Sequence, residues 1–229
     1  MTDAHCHVSA GDPAIREFLI GRDFIGVHPW ETLPSANPAP QVAPPSPHSD
    51  IRPFDYSIIR SSSSVGVGEI GLDRLRDRAI SPLMRGVFEE QLKIAAEFRR
   101  PVVLHGAKCW GEVVRACQPF AGRIPAFLFH GFSRSDGLLP DIARLNGFVS
   151  VGPAVLNDHA VNYRRLVRKI PADRLLVETD RTPENAATCP PVTAVAARLA
   201  ELRGLSLAEL EVLVDANAAR FFPACLTTM

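Results

Sequence analysis

The chain has 229 residues, 46% of them hydrophobic, which is enough apolar surface for one large core and makes a single domain over 1–229 the simplest organisation. Lysine plus arginine and aspartate plus glutamate number 25 each, so no global positive field exists to hold nucleic acid non-specifically, and phosphate binding has to be local. Five scattered cysteines without a C-x-x-C pair, no signal pattern, and no apolar run near the roughly 20 residues of a membrane helix predict a cytoplasmic, non-membrane protein.

In chain order, short apolar runs alternate with amphipathic stretches. "TDAH" (2–5) and "FIGVH" (24–28) read as the first strands. Residues 34–53 hold seven prolines, Pro34, Pro38, Pro40, Pro44, Pro45, Pro47 and Pro53, which forbid a regular helix and predict an irregular loop inside the domain. After the serine run 61–64 comes the strand "VGVGE" (65–69). Ser81-Pro82 then supplies an N-cap and first-turn proline for a helix with Leu83, Val87, Phe88, Leu92, Ala95 and Phe98 at helical spacing. "PVVLH" (101–105) and "AFLFH" (126–130) are further strands. Ser135 is a candidate cap for a helix closing at Asn146-Gly147, and "GFVSVG" (147–152) and "RLLVETD" (174–180) follow as strands. Helices are predicted from Pro190 to Arg203, ended by Gly204, and after Ser206, which forms a capping box with Glu209.

Near-continuous apolar strands between helices predict a parallel sheet covered on its faces. Several of these strands end on a polar residue, which points to an α/β fold of the TIM-like (β/α) barrel type with its site at the carboxyl ends; an open doubly wound sheet is the second choice.

Asp3-Ala4-His5-Cys6-His7 holds the first chemical signal. On an extended segment His5 and His7 project to one side, about 6.6 Å apart along the backbone, close enough to converge on one ion. Asp3 shares that face and is placed to orient a ligand. His105 and His130 each end an apolar strand, and Glu69 and Asp180 are carboxylates at the ends of buried strands, where an ionised group needs a cation or partner. Four imidazoles and two carboxylates suit two divalent ions with one carboxylate between them, and such ions acidify water for hydrolysis.

These residues and their order resemble the TatD-like metal-dependent hydrolases of the amidohydrolase superfamily. The resemblance runs through "DAHCH", "GVHPW", "GEIGLD", "FEEQLKIAAEFRRPVVLH", "FHGFSRS", "GFVSVG" and "LLVETD" to "NAARFF". It implies a TIM-like barrel and two divalent ions (Zn²⁺, Mg²⁺ or Mn²⁺). It implies that His5 and His7 hold one ion with Asp180, that His105 and His130 hold the other, and that Glu69 bridges. The activity it implies is that of a deoxyribonuclease or phosphodiesterase on DNA or a small phosphodiester, with a metal-activated water that Asp180 orients or deprotonates.

Four departures accompany the resemblance. The interval from His7 to His28-Pro29 is short, as though a strand-helix unit had been lost or reduced to residues 13–23, so a seven-stranded or distorted barrel is expected. The proline-rich loop 34–53 stands in place of a helix. Gly106-Ala107-Lys108 follows His105 and Arg181-Thr182-Pro183 follows Asp180, replacing the groups usual near substrate.

His28, Lys108, Arg134 and Arg181 are the candidate substrate contacts, His28 alternatively being a structural residue beside Pro29 and Trp30. His48 and His159 read as solvent residues, Cys6 and Cys109 as bystanders without a base, and Asp73 as a loop residue or a support for a ligand. The alternatives to nuclease chemistry are hydrolysis of an amide, lactone or other ester, and a barrel that binds metal without catalysis.

Overall fold

A computed structural model of the chain describes residues 1–33, 56–133 and 136–222. The proline-rich stretch 34–53, His48, Arg134, Ser135 and Cys225 lie outside those residues.

Every apolar run named above contains a strand. The strands are β1 (Thr2–Cys6), β2 (Arg16–Leu19), β3 (Phe24–Ile25), β4 (Gly66–Asp73), β5 (Val102–Ala107), β6 (Phe127–Phe129), β7 (Gly147–Val151) and β8 (Leu175–Val177). Strands β3 to β8 form one parallel sheet in chain order, and β1 pairs in parallel with β2. A bridge from Ile20 to Phe24 joins the end of β2 to β3. At the other seam, Asp180 N–H donates to His5 C=O at 3.1 Å and His7 N–H to Arg181 C=O at 2.7 Å. The two seams close the sheet into a TIM-like barrel, which excludes the open doubly wound alternative.

The described barrel keeps eight strands, which corrects the expectation of a seven-stranded one. What is shortened near the N-terminus is the connections: β1 runs to β2 and β2 to β3 without a helix. "REFL" gave no strand signal because it is brief and its first residue, Arg16, faces solvent; only Phe18 is buried.

Seven helices cover the described barrel: α1 (Ser57–Ser61), α2 (Pro82–Glu97), α3 (Trp110–Cys117), α4 (Leu139–Arg144), α5 (Val161–Lys169), α6 (Val192–Arg203) and α7 (Leu207–Phe221). Ser81 caps α2 by accepting from Met84 N–H, Gly204 ends α6 at φ +67°, and the Ser206–Glu209 box starts α7. Phe98, expected on the buried stripe of α2, is 40% exposed because the helix ends one residue earlier.

Side-chain alternation sorts the strands into two cores. Val102, Leu104, Phe127, Phe129, Val149, Val151, Leu175 and Val177 pack outward with α2, α3 and α6. Val103, Leu128, Phe148 and Leu176 point the other way and fill the barrel with Ala4, Phe18 and Phe24, closed by Phe221 and Phe222 at the end of α7. Continuing the inner alternation by two residues reaches His105, His130, Ser150 and Glu178, so the polar site lies directly above an apolar floor.

Candidate metal centre

Two of the central residues have the wrong parity for this scheme, and the backbone corrects it. Val67 packs in the outer core, so strict alternation would turn Glu69 outward as well. Val67 faces Val102 while Ile70 faces Leu104, a register shift that inserts one extra residue in β4 between them. That bulge re-aims Glu69 to the barrel interior. In β1, Asp3 faces Glu17 and Cys6 faces Leu19, a shift of the same size around His5, whose neighbour Ala4 already belongs to the inner core.

Once turned inward, Glu69 is 3% exposed and meets five imidazoles. Its two oxygens divide them. Oε2 lies 3.5 Å from His5 Nε2 and 3.3 Å from His7 Nε2. Oε1 lies 2.6 Å from His105 Nδ1, 2.7 Å from His130 Nε2 and 3.5 Å from His28 Nε2. Asp180 closes the first side, with Oδ1 3.4 Å from His5 Nε2 and 3.7 Å from His7 Nε2. It does so at φ +50°, a left-handed conformation that a non-glycine residue adopts at a cost of order 1–3 kcal/mol.

The residues fit divalent cations. His5 is fully buried, yet neither of its ring nitrogens has a hydrogen-bond partner, and neither does His130 Nδ1. Such orphaned polar atoms cost about 1–3 kcal/mol each unless something binds them. The His5 and His130 rings also stack at 4.1 Å between centroids, so a charge on His130 opposes one on His5, an opposition that the facing carboxylates outweigh without metal. Candidate ligand atoms converge within 4.8 Å of one another in the sets His5/His7/Glu69, His5/His130/Asp180 and His28/Glu69/His105.

Proximity overstates the third set. His28 Nδ1 accepts the Trp30 backbone N–H at 3.2 Å, so its Nε2 holds the proton and is a donor toward Glu69 rather than a lone pair for a metal. His105 is the reverse: Nε2 faces Asp73 Oδ2 at 2.9 Å and Nδ1 faces Glu69.

The charges support one another. Burial alone would raise the Glu69 carboxyl, but His130, His105 and His28 hold it well below the usual carboxylate range. Burial opposes the charged form of each imidazole, yet the facing carboxylates prevail: His5 is raised to about 9 by Asp180 and Glu69, His105 is raised by Asp73 and Glu69, and His130 is raised by Glu69 and Glu178. Asp180 is likewise held low against its burial by His5 and His130.

Around this centre lies a cavity of about 440 Å³ whose wall includes His7, His28, Trp30, Glu31, Asp180 and Glu184. A second, of about 280 Å³, shares His105, His130 and Asp180 and is bounded by Lys108, Leu75 and Ser133. Of the candidate substrate contacts, His28 and Lys108 are therefore at the cleft. Arg181 is not: its guanidinium donates to the Ala186 carbonyl and its Nε is buried, so it braces its own loop.

Asp3 does not reach the cleft either. Its carboxylate accepts the Thr179 N–H at 3.0 Å and hydroxyl at 2.6 Å, tying β1 to the end of β8, and burial raises it to about 7. Cys6 and Cys109 are buried thiols donating to the Phe18 and Leu72 carbonyls, and burial pushes Cys109 up to about 12, which suits bystanders. His159 is exposed.

Sequence reasoning missed Trp30 and Glu178 and undervalued Asp73. Glu178, 1% exposed, accepts the Gly131 N–H at 2.8 Å and the Ser150 hydroxyl beneath His130. Asp73 is the last residue of β4, not a loop residue, and shares the inward face with Glu69 and Gly71. The period of two in "EIGLD" was the available signal.

Gly71 between them faces His105 in the ladder at φ +156°, and a Cβ there would lie 2.0 Å from the His105 carbonyl oxygen. Gly71→Ala is expected to cost roughly 2–6 kcal/mol, the sum of backbone strain and overpacking. A fall in the urea midpoint with unchanged m-value checks this, and an unchanged midpoint contradicts it.

A TIM-like barrel with imidazoles and carboxylates gathered at the carboxyl ends of its strands belongs to the class built around a candidate metal centre. The profile of the family described as TatD related DNase matches residues 20–223. This chain belongs to that family.

The chain is 28% identical over 167 residues to the uncharacterized metal-dependent hydrolase YabD of Bacillus subtilis, a match covering 69% of this chain and 65% of that protein. It is 30% identical over 170 residues to the 3'-5' ssDNA/RNA exonuclease TatD of Cronobacter sakazakii, again covering 69% and 65%. It thus spans just under two thirds of the length of these curated relatives. Among solved structures, YjjV, a TatD homolog from Escherichia coli, aligns over 93% of this chain and 79% of its own with a TM-score of 0.66 at 24% identity. The TatD family hydrolase from Entamoeba histolytica aligns over 91% and 75% with a TM-score of 0.63 at 14% identity. Both show the fold.

Proposed function

We propose that this chain is a divalent-metal-dependent hydrolase that cleaves phosphodiester bonds in DNA or RNA. The observation behind the reading is the division of Glu69: one oxygen faces His5 and His7, the other faces His105 and His130. A carboxylate so placed has a natural role between two cations. In this reading His5, His7 and Asp180 hold one ion, His105 and His130 hold the other, and Glu69 is common to both; the residues do not select among Zn²⁺, Mg²⁺ and Mn²⁺. Bound there, such ions supply Lewis acidity and make a water acidic enough to attack near neutral pH.

The chain's own groups complete the reaction. Asp180 stays ionised and half-exposed at the cleft, where its carboxylate accepts a hydrogen bond from the attacking water and orients it. His28 lines the larger cavity with its Nε2 proton directed at Glu69, and Lys108 offers a cation from the smaller one to a neighbouring phosphate. The apolar floor of the barrel closes the centre to solvent from below.

Protein stripped by chelator is expected to lose phosphodiesterase activity and recover it with Mn²⁺, Mg²⁺ or Zn²⁺; turnover indifferent to metal would sink the reading. A second reading, hydrolysis of a small ester, lactone or amide at the same centre, is favoured by Glu31 and Glu184 on the wall of the larger cavity, since both oppose additional phosphates there. Side-by-side turnover of a single-stranded oligonucleotide, a generic phosphodiester and a lactone separates the two: failure on both phosphate substrates selects the second.

Cys6, Cys109, Cys117 and Cys189 are free thiols, which supports a reducing compartment and hence the cytoplasm. Among the described residues no helix is long and apolar enough to cross a membrane.

A further inference from the structure

We propose that Asp73 is a positioning residue for this centre: it keeps the His105 proton on Nε2, so that Nδ1 is the nitrogen left to give up its proton to a cation, and it ties that imidazole to Trp30 in the cleft wall. The proposal rests on the reading of His105 as a metal ligand.

Asp73 is fully buried at the carboxyl end of β4. Its Oδ2 accepts from Trp30 Nε1 at 2.6 Å and meets His105 Nε2 at 2.9 Å. Its Oδ1 accepts the backbone N–H groups of Leu75 and of Arg76, the latter at 3.1 Å. An indole N–H can only donate and an ionised carboxylate can only accept, so the His105 nitrogen on the same oxygen must be the donor. By the same rule Nδ1, 2.6 Å from Glu69, also carries a proton without metal; with Nε2 committed to Asp73, Nδ1 is the His105 nitrogen that a cation reaches by displacing that proton.

None of the other imidazoles at the centre is set this way. His5 has no hydrogen-bond partner on either nitrogen, and Glu178 stands 3.7 Å from His130 Nδ1, beyond hydrogen-bond reach. His28 is oriented by a backbone amide. Among the described residues, Asp73 is therefore the one side chain outside the candidate ligands that lies within hydrogen-bond distance of a candidate ligand's imidazole.

The second half of the proposal follows from sharing. Trp30 is 38% exposed, lines the larger cavity and supports the Arg76 guanidinium 3.5 Å above its ring. One carboxylate oxygen thus joins a cleft-wall side chain to a ligand, so a change at Trp30 is felt at His105. Carboxylates that orient metal-ligating histidines typically account for 10–100-fold in metal affinity.

The test uses the whole chain loaded with zinc alone. In the wild type, nitrogen-15 spectra of the histidine side chains should show His105 protonated on Nε2 and metallated on Nδ1. Asp73→Asn keeps an oxygen for Leu75 and Arg76 but turns an amide donor toward Nε2. It should lose that signal, bind one of two zinc ions about 10–100-fold more weakly while keeping the other, and recover turnover at excess metal, which a folding defect would not do. Trp30 fluorescence should respond to zinc in the wild type and not in the variant.

Zinc-loaded wild type with the proton on Nδ1, or an Asp73→Asn protein holding both ions at wild-type affinity, overturns the proposal while leaving His105 free to be a ligand by another route. A wild type that binds no zinc at His105 overturns both this proposal and the reading beneath it. If Asp73→Asn does not fold, the wild-type spectrum decides alone.

Discussion

Glu69→Gln is expected to remove most of the turnover and at least one of the two proposed ions while leaving the fold intact. The amide has the shape of the carboxylate but only one oxygen, so whichever way it turns, a donor NH₂ faces either His5 and His7 or His105 and His130. It also removes the one negative charge common to both halves. Losing a charged group from a preorganised site lowers turnover by on the order of 10²–10³-fold, and the loss of an ion adds to that. Metal content per chain, measured beside kcat, checks the result. A variant with two ions and wild-type kcat would contradict the bridging role, whereas one that is metal-free and unfolded would point to a structural role.

The second large effect is a pH dependence that differs between metal-free and metal-loaded protein. Without metal, His5 is held up at about 9, and His105 and His130 are also raised, by the carboxylates they face. A raised imidazole stabilises the fold fully below its unfolded value of about 6.5 and loses that contribution as pH climbs through the folded value. Glu69 and Asp180 are lowered, so their contribution is complete above about 4.5 and is lost as pH falls through their folded values. The metal-free protein is therefore most stable between about 4.5 and 6.5 as far as these groups decide.

Metal binding requires the same imidazoles as free bases, so the ion displaces protons and its affinity rises roughly tenfold per pH unit for each proton displaced. The gap in Tm between loaded and stripped protein should widen steadily from pH 6 to 9. A gap that narrows over that range would mean the imidazoles are not the ligands. Calorimetry in buffers of different ionisation enthalpy counts the protons directly.

What the sequence made readable, and what it hid, follows from which interactions are local. Six of the eight described strands stand out as apolar runs, because a strand buried on both faces is apolar at nearly every position, and β1 is a candidate despite the polar residues of "TDAH". The six candidate ligands stood out because an imidazole or carboxylate at the end of such a run has few bland explanations. β2 was invisible: four residues, with Arg16 exposed, are too few for a pattern, and only pairing with β1 makes them a strand.

The inward turn of Glu69 and His5 was equally hidden. Both depend on an extra residue in the register against a neighbouring strand, which a single strand's sequence does not specify. Tautomers could not be read either, since they follow from tertiary partners: Trp30 backbone for His28, Asp73 for His105. Arg181 shows the converse, a cation that looked available beside Asp180 but is consumed by the carbonyl of Ala186.

The central claim is that Glu69 stands between two cations, one held with His5, His7 and Asp180 and the other with His105 and His130. A crystal structure of manganese- or zinc-loaded protein, with the ions located by anomalous scattering, tests it directly. Two peaks about 3.5–4 Å apart with one Glu69 oxygen on each is the predicted result. A single peak away from Glu69, or none at the strand ends, would contradict it.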